Sequence, residues 1–369
     1  MSFLLGSSLY FYSLSSFSYR AAILSYVTLL LVFIVNKRTP ITNIKSIILF
    51  IFLNILILFS LFISKEIYIV HYVKYFGVAI YSFLFFSLSF FSSNEKIESS
   101  IKIYIYIHCF LVAVQVLMYF STGYYLDINN IVREVESHTA YGGKDISQFY
   151  MSIRPTGSFS EPSFLAMSLF PAVFYLGHKR NITYRPVLLG ILTIFLTLSV
   201  AGIGVVSVWI FFYIFAYGTI SKKSRILMVV FISILFLASS GFLIQRIFES
   251  QDYDAIGYRL QIIENIIDRD TFHLLFGNGL FLDEFYGNGI LESPASSIRD
   301  SGFILHLLFS AGILGLLLSS TLLFLLIRDV RLFVSFSIGL SFKFGILLSV
   351  FWLYIAFMLL LVRYKKIGE

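Results

Sequence analysis

A polar cluster interrupts the apolar sequence at residues 154–163, where a long loop leads into an apolar segment. It begins with Arg154, and Glu161 follows seven positions later. A proline and a glycine lie between the two charges and disfavour ordinary helix, so the cluster could fix an arginine and a carboxylate at a membrane surface. The alternative interpretation is structural, because an acidic residue followed by Pro162 is typical of a helix start. The two interpretations are compatible.

More arginines and carboxylates lie in the two long polar stretches of the chain. The planar guanidinium fork suits phosphate or pyrophosphate, since it binds two oxygens and stays charged where the dielectric constant is low. A carboxylate suits sugar transfer, because it can take a proton from an attacking hydroxyl. Loop solvation and salt pairing are the structural alternative. The arginines are Arg133, Arg154, Arg246, Arg259, Arg269 and Arg299, and the carboxylates near them in sequence are Glu161, Glu264 and Asp300.

Other catalytic signatures are absent from the sequence: it contains no zinc-peptidase motif, no serine-hydrolase elbow and no phosphate-binding glycine loop. Asp252 and Asp254 have a spacing that could hold a divalent cation, although a solvated acid pair has the same spacing. We therefore predict no metal site and no cofactor.

The composition indicates a polytopic membrane protein. Hydrophobic residues make up 58% of the 369 positions and charged residues 13%, and the mean hydropathy is +0.89. A water-soluble domain could not bury so much apolar surface. The net charge of +7 does not indicate a nucleic-acid partner, because the basic residues lie beside apolar segments, where they act as topology signals. The single cysteine, Cys109, excludes a disulfide framework.

About twelve apolar segments are long enough, or nearly long enough, to cross a bilayer. The first residues lack the basic region of a secretory signal, so we expect a membrane segment there. Three closely spaced pairs, around Arg20, around Ala201 and Gly202 and around Lys343, could instead each be re-entrant or one tilted helix. The predicted segments are residues 2–18, 21–35, 46–63, 67–91, 101–121, 161–177, 186–200, 202–219, 226–245, 302–327, 332–342 and 345–362.

The short connections carry most of the lysines and arginines, which places them and both termini in the cytoplasm. The two long connections mix acids with arginines and are expected in the periplasm. The predicted organisation is an N-terminal membrane bundle (1–121), a first large loop (122–160), a central bundle (161–245), a second large loop (246–300) and a C-terminal bundle with a cytoplasmic tail (301–369).

The second loop contains its own predicted elements. Leu260, Ile263 and Ile267 recur at helical spacing with charges mostly on the opposite side, which indicates a short amphipathic helix at the membrane surface. Two Gly-Asn-Gly turns follow, at 277–279 and 287–289, and then Arg299-Asp300-Ser301-Gly302 leads into the next membrane segment.

This layout resembles the Wzy-type O-antigen polymerases. The resemblance is carried by the Arg154-Pro155-Thr156-Gly157 to Glu161-Pro162-Ser163 block, the Arg259 helix followed by Phe276-Gly277-Asn278-Gly279, and Asp300-Ser301-Gly302 leading to Gly312-Ile313-Leu314-Gly315. It covers nearly the whole chain in layout but only a few residues. The family's arginine and glycine spacing is not met after Arg259, since Asp270 occupies the position expected for the glycine.

The resemblance implies an all-α bacterial inner-membrane glycosyltransferase of the broad GT-C kind. Such an enzyme joins oligosaccharide repeat units carried on undecaprenyl pyrophosphate at the periplasmic face, in lipopolysaccharide biosynthesis, with a flippase and a chain-length regulator of the same pathway as partners. The family's functional arginines carry over to Arg154 and Arg259, and then to Arg133 and Arg299. Glu161 or Asp300 would be the general base, and Glu161 is favoured because it lies close to Arg154 in sequence.

Two other functions stay open. A flippase of lipid-linked oligosaccharide would have a similar number of segments, but transporters keep ionisable groups near the bilayer midplane, whereas this chain carries its candidate arginines in two long loops. An O-antigen ligase resembles the polymerases in layout and substrate. Ligases have a histidine at the start of the helix after the large loop; the alignment places Ser301 there, and His306 lies five residues later.

Overall fold

The computed structural model describes residues 1–36, 51, 69–89, 92–129, 145–146, 152–179, 184–217, 222–244, 255–279 and 298–367. Within these ranges the chain is helical, as expected, with one exception. An antiparallel pair of two-residue strands, β1 (Asp145–Ile146) and β2 (Ser152–Ile153), lies in the first long loop. Pro155 follows β2 closely and restricts Arg154 to extended backbone, which favours a strand there.

The helices agree closely with the apolar segments. Eleven of the twelve predicted segments coincide with a described helix, and the twelfth, 46–63, lies outside the described residues except for Ile51. The helices are α1 (Ser2–Leu14), α2 (Tyr19–Asn36), α3 (Ile69–Ser89), α4 (Asn94–Thr122), α5 (Pro162–Gly177), α6 (Tyr184–Leu196), α7 (Val200–Ala216), α8 (Lys222–Ile244), α9 (Ala255–Ile267), α10 (Thr271–Phe276), α11 (Phe303–Ile327), α12 (Val330–Gly339) and α13 (Ser349–Ile367), and a 3₁₀ helix covers Ile298–Ser301.

The helices fall into two groups by length. In the described part of the chain, α2, α4 and α11 are long and apolar enough to cross a membrane. Several other apolar helices have only 10 to 17 residues, which is shorter than the roughly 20 residues that a 30 Å hydrocarbon layer requires. Their ends must therefore meet protein partners, because lipid offers no hydrogen bonds to a helix end.

Helix α5 is the centre of the bundle. Its residues from 165 to 177 are all buried, and it packs against α4, α6, α7 and α13. Aromatic rings fill the contacts around it: Phe170 lies 5.7 Å from Trp209 and Phe174 lies 5.1 Å from Tyr354, measured between ring centroids. A helix that is apolar on every side can be stable only when other helices surround it.

The first two helices form a hairpin. The hydroxyl of Ser8 donates to the carbonyl of Ser25 at 2.9 Å, and these residues lie symmetrically about the turn that follows α1. Small hydroxylated residues let helices approach closely in a membrane. The turn itself is bound to α13, because the backbone N–H of Ser349 donates to the hydroxyl of Ser16 at 2.6 Å. The pair of segments around Arg20 is therefore two helices.

A polar cluster closes the C-terminal end of α5. Lys179 pairs with Glu98 of α4 at 2.6 Å. The indole N–H of Trp209 donates to the hydroxyl of Ser335 at 2.9 Å, and that hydroxyl lies 2.9 Å from Nε2 of His178. These contacts join α4, α5, α7 and α12 at the end of α5 opposite Glu161.

Helix α11 is broken at Gly312, whose backbone has φ 65° and ψ −170°. The break frees carbonyl groups of the preceding turn, and the turn at 277–279 supplies donors for them. The N–H groups of Asn278 and Gly279 donate to the carbonyls of Phe309 at 3.1 Å and Ser310 at 2.9 Å. Backbone contact is this close only because both Gly277 and Gly312 lack a side chain. The two glycine motifs, far apart in sequence, thus form one joint.

We predict that Gly312→Ala disrupts this joint. A Cβ at Gly312 would lie 2.3 Å from the carbonyl oxygen of Leu275, and this backbone conformation is open only to glycine, so the free energy of unfolding should fall by about 3 kcal/mol or more. Thermal unfolding in detergent measures the change.

Gly204→Ala is the matched control, because a Cβ at this position in α7 meets nothing within 4 Å. It should raise the free energy of unfolding by about 0.5–1 kcal/mol through helix propensity. Equal stability of the two variants would contradict the packing of the 277–279 turn against α11.

Candidate functional site

The segment from Arg154 to Glu161 enters the helix bundle. Residues 155–160 are all buried, while Arg154 and Glu161 at its two ends are partly exposed. The sequence assigned this segment to the end of an external loop at 122–160. The structure instead places residues 155–160 among the helices, because Pro162 starts α5 and the chain must approach the bundle centre before that helix begins.

Gln115 of α4 holds this segment in place. Its side-chain oxygen accepts hydrogen bonds from the backbone N–H groups of Thr156 at 3.1 Å and Gly157 at 2.8 Å. Its amide nitrogen donates to the carbonyls of Gly157 at 3.0 Å and Leu126 at 2.9 Å. The side chain is fully buried. Three of its four bonds satisfy backbone groups of the turn at 156–157, and the fourth binds Leu126, after α4.

Aromatic side chains complete the support of the segment. The hydroxyl of Tyr125 lies 3.0 Å from that of Thr156, and the hydroxyls of Tyr10 and Ser158 are hydrogen bonded. The ring of Phe159 stacks against His108 with centroids 5.7 Å apart. These contacts tie the segment to α1 and α4 on one side and to the chain that follows α4 on the other.

Arg154 reaches the connection between α6 and α7. Its Nη2 donates to the carbonyl of Leu198 at 3.3 Å. Leu198 lies in the three-residue connection 197–199 and has φ 48°, an unusual conformation for a bulky residue. The predicted break around Ala201 and Gly202 therefore lies a few residues earlier and forms part of the same site as Arg154.

Glu161 is the N-cap residue of α5, which confirms the structural interpretation of Glu161 and Pro162 as a helix start. Its carboxylate makes no capping bond and instead accepts from the hydroxyl of Ser163 at 2.9 Å. A partly exposed carboxylate at the start of a buried helix lies in the positive field of the helix dipole, and it keeps oxygen lone pairs for a ligand.

The second group of predicted residues lies at the start of α11. Nε of Arg259 donates to the carbonyl of Ser301 at 3.2 Å, which joins α9 to the 3₁₀ helix. Arg299 and Asp300 belong to that 3₁₀ helix by their backbone, while their side chains lie outside what the structure describes. Arg133 also lies outside the described residues, as do Asp252 and Asp254.

A series of contacts in the turns between helices connects the segment at 154–161 to the residues around Arg259 and the start of α11. Phe17, after α1, contacts Phe159 and Phe164 with centroids 6.2 and 4.7 Å apart. Ser16 in the same turn contacts Leu347 and Ser349 before α13. The residues that follow α12 then meet the start of α11, where the N–H of Phe303 donates to the carbonyl of Phe342 at 3.2 Å. Arg154 and Arg259 thus lie on one connected junction.

The predicted amphipathic helix forms as α9. Leu260, Ile263 and Ile267 are exposed on one side, as expected for a helix at a membrane surface. The sequence did not predict that Ile262 and Ile266 form a second, buried apolar face against Ile298 and Phe309.

Arg269 has a structural role in this region. One guanidinium nitrogen donates to the carbonyl of Phe309 at 2.9 Å and the other to the side chain of Asn265 at 3.1 Å. Burial lowers the pKa of Arg269 to about 10, and the neighbouring Asp270 opposes that shift. Asp270 caps α10, which explains why a carboxylate, and not a glycine, stands at that position.

Sequence reasoning missed Gln115, whose only signal is that an amide lies alone in an apolar helix. An isolated polar residue in such a helix indicates a packing or functional contact, but its partner at residues 156–157 could not be identified without the fold.

Comparison with models of known families, with curated proteins and with solved structures finds no match to this chain.

We predict that Gln115→Ala loosens the segment at 154–161. Two buried backbone N–H groups and two carbonyls would lose their partner, so the free energy of unfolding should fall by about 2–4 kcal/mol. Thermal unfolding in detergent measures the loss, and Gln261→Ala, which removes an exposed glutamine side chain from α9, is the control. If the two variants are equally stable, the four bonds of Gln115 do not hold the segment.

Proposed function

We propose that this protein is a surface-polysaccharide polymerase of the O-antigen type, a glycosyltransferase that joins lipid-linked oligosaccharide repeat units. The observation that carries the proposal is the buried 154–161 segment, which presents an arginine and a carboxylate at its two ends on the junction of short helices. An arginine can bind the pyrophosphate of the carrier, and a carboxylate can take the proton of the attacking hydroxyl.

The proposed reaction is a direct displacement. A hydroxyl of the incoming repeat unit attacks the anomeric carbon of the growing chain, and the bond from that carbon to the pyrophosphate oxygen breaks. The hydroxyl proton goes to Glu161, and undecaprenyl pyrophosphate leaves with the bonding electron pair. Asp300 is the alternative base. Arg154 and Arg259, with Arg299 and Arg133 as further candidates, neutralise the charge that grows on the leaving group.

Helix ends add to the positive potential. Helices α2, α5, α7, α11 and α13 all begin at the junction of short helix turns described above. Several of their first N–H groups are capped by serines: Ser18 accepts from Ala21 at 3.1 Å and Ser199 accepts from Gly202 at 3.2 Å. Each helix start carries a partial positive charge, so the junction favours an anion such as a pyrophosphate.

Positions along helix α4 give the depth of the site in the membrane. Glu98 pairs with Lys179 at one end, and Gln115 binds the 156–157 turn seventeen residues later, which is about 25 Å at 1.5 Å per residue. Helix α5 connects the same two levels over nearly the same number of residues. Beyond Gln115, α4 continues to Thr122, with Leu117 68% and Phe120 58% exposed.

These apolar side chains suit lipid, so the hydrocarbon layer would extend at least one turn beyond the level of the site. The proposed site then lies slightly below the outer surface of the inner membrane, a depth suited to the pyrophosphate of a membrane-anchored substrate. The basic residues support the orientation proposed from the sequence, with about twelve spans, both termini in the cytoplasm, and the large loops at 122–160 and 246–300 in the periplasm.

The ligase alternative receives less support. Ser301, which occupies the position of the ligase histidine, is buried and donates to the carbonyl of Ile298 at 2.6 Å. His306 is buried in the second turn of α11.

The flippase and the chain-length regulator of the same pathway are proposed as partners of the polymerase.

We predict that Arg154→Ala or Arg259→Ala abolishes polymer formation at normal protein abundance. Loss of one good charged contact in a desolvated site raises the barrier by about 2–4 kcal/mol, a slowing of tens to hundreds of fold. Lysine at either position should restore little polymer formation, because it lacks the bidentate fork. This holds at position 154 even though a lysine ammonium could still donate to the carbonyl that Arg154 contacts. The polysaccharide ladder on a gel, with immunoblotting of the protein, measures both quantities.

Arg185→Ala is the control, since Arg185 is exposed at the other end of α6 and should leave the ladder unchanged. Normal ladders from the alanine variants of Arg154 and Arg259 would show that these residues only stabilise the fold.

A further inference from the structure

A narrow crevice lies between the turn that follows α1 and the segment before α5. It contains about 190 Å³ of space counted to its open mouth, yet it is too narrow in this conformation to admit a water molecule. None of its lining residues is charged. They are Leu14, Phe17, Ser18, Asn129, Ser158, Phe159 and Ser160.

Asn129 is the unusual member of this lining. The residue is 1% exposed, and its amide nitrogen has no hydrogen-bond partner among the residues that the structure describes. The fold holds the residue in place, because its backbone N–H donates to the carboxylate of Asp127 at 3.2 Å and Gln115 binds the nearby carbonyl of Leu126. Buried amides are nearly always hydrogen bonded, so this unpaired nitrogen is a donor that a ligand in the crevice could use.

The chemistry of the lining identifies the class of ligand. Serine hydroxyls and an amide hydrogen bond to sugar hydroxyls, and the rings of Phe17 and Phe159 offer apolar faces for the C–H side of a pyranose. A pyrophosphate would instead select basic side chains, and this crevice has none among its lining residues. Its neighbour in sequence is the proposed base, since Ser160 directly precedes Glu161.

We propose that this crevice, when the rings of Phe17 and Phe159 move apart, binds an uncharged sugar of the acceptor repeat unit, and that the amide of Asn129 donates to one of its hydroxyls. The proposal rests on the polymerase function proposed above, and it separates two subsites. The acceptor sugar lies in the uncharged crevice, and the pyrophosphate of the donor lies with Arg154.

The test is equilibrium binding of the host's own oligosaccharide repeat unit, released from its lipid carrier by mild acid, to the purified full-length protein in lipid nanodiscs. Asn129→Leu keeps the side-chain shape and removes the amide. Binding should be about three- to tenfold weaker, while the unfolding temperature stays equal or rises, because an unsatisfied buried group has been removed. A purely structural asparagine would give the opposite change in stability. Asn36→Leu, which removes an amide bound to Val32 at the end of α2, should not change binding.

Two results would overturn the proposal: no binding of the repeat unit to the wild-type protein at millimolar concentration, or equal binding by wild type and Asn129→Leu. Arg154→Lys distinguishes this failure from failure of the proposed function. It should bind the free repeat unit normally and still form no polymer. If polymer formation depends on Arg154 but binding does not depend on Asn129, the polymerase proposal stands and the acceptor subsite is wrong.

Discussion

The structure depends on one constraint: every backbone N–H and carbonyl group inside an apolar bundle needs a protein partner. Helices such as α1, α6 and α12 are shorter than the roughly 20 residues that reach across the hydrocarbon layer. A segment built on one of them crosses only together with its turns, and those turns cannot all reach water. Side chains from distant parts of the chain supply the missing partners. Gln115 does so for the turn at 156–157 and Ser16 for the start of α13. The joint between Gly277 and Gly312 serves the same purpose with backbone groups alone.

The same constraint explains why the candidate site lies where it does. Polar groups are concentrated at the junction of the short helices because the helix ends require them there. An arginine and a carboxylate added to such a junction are held by a network that already exists, and Arg154 bonds directly to one strained turn, at Leu198. The tests of stability and of polymer formation therefore address different residues: Gln115 holds the segment, whereas Arg154 and Glu161 face its two open ends.

The helices were largely predictable from sequence, because apolar runs bounded by basic residues and prolines are local signals. The helix start at Glu161 and Pro162 is an example. The partners of the helix ends were not predictable, since Gln115 and Gly157 lie 42 residues apart and only the fold brings them together. Helix α9 has one face that the sequence predicted and one that it did not. The apolar spacing identified the exposed face with Leu260, whereas the buried face with Ile262 depends on contact with α11. Arg154 and Glu161 belong to one polar cluster of the sequence, but the burial of residues 155–160 between them was missed because these residues include few large apolar side chains.

The central claim is that the junction polymerises exported repeat units, and a gel of lipopolysaccharide from a strain lacking this gene tests it most directly. Without a polymerase, single units are still exported and attached, so the gel should show core bearing one repeat unit and no ladder above it. Loss of a flippase would leave no units to attach, and loss of a ligase would leave polymer on its lipid carrier, so both would give bare core. A bare core would therefore contradict the polymerase assignment, as would an unchanged ladder.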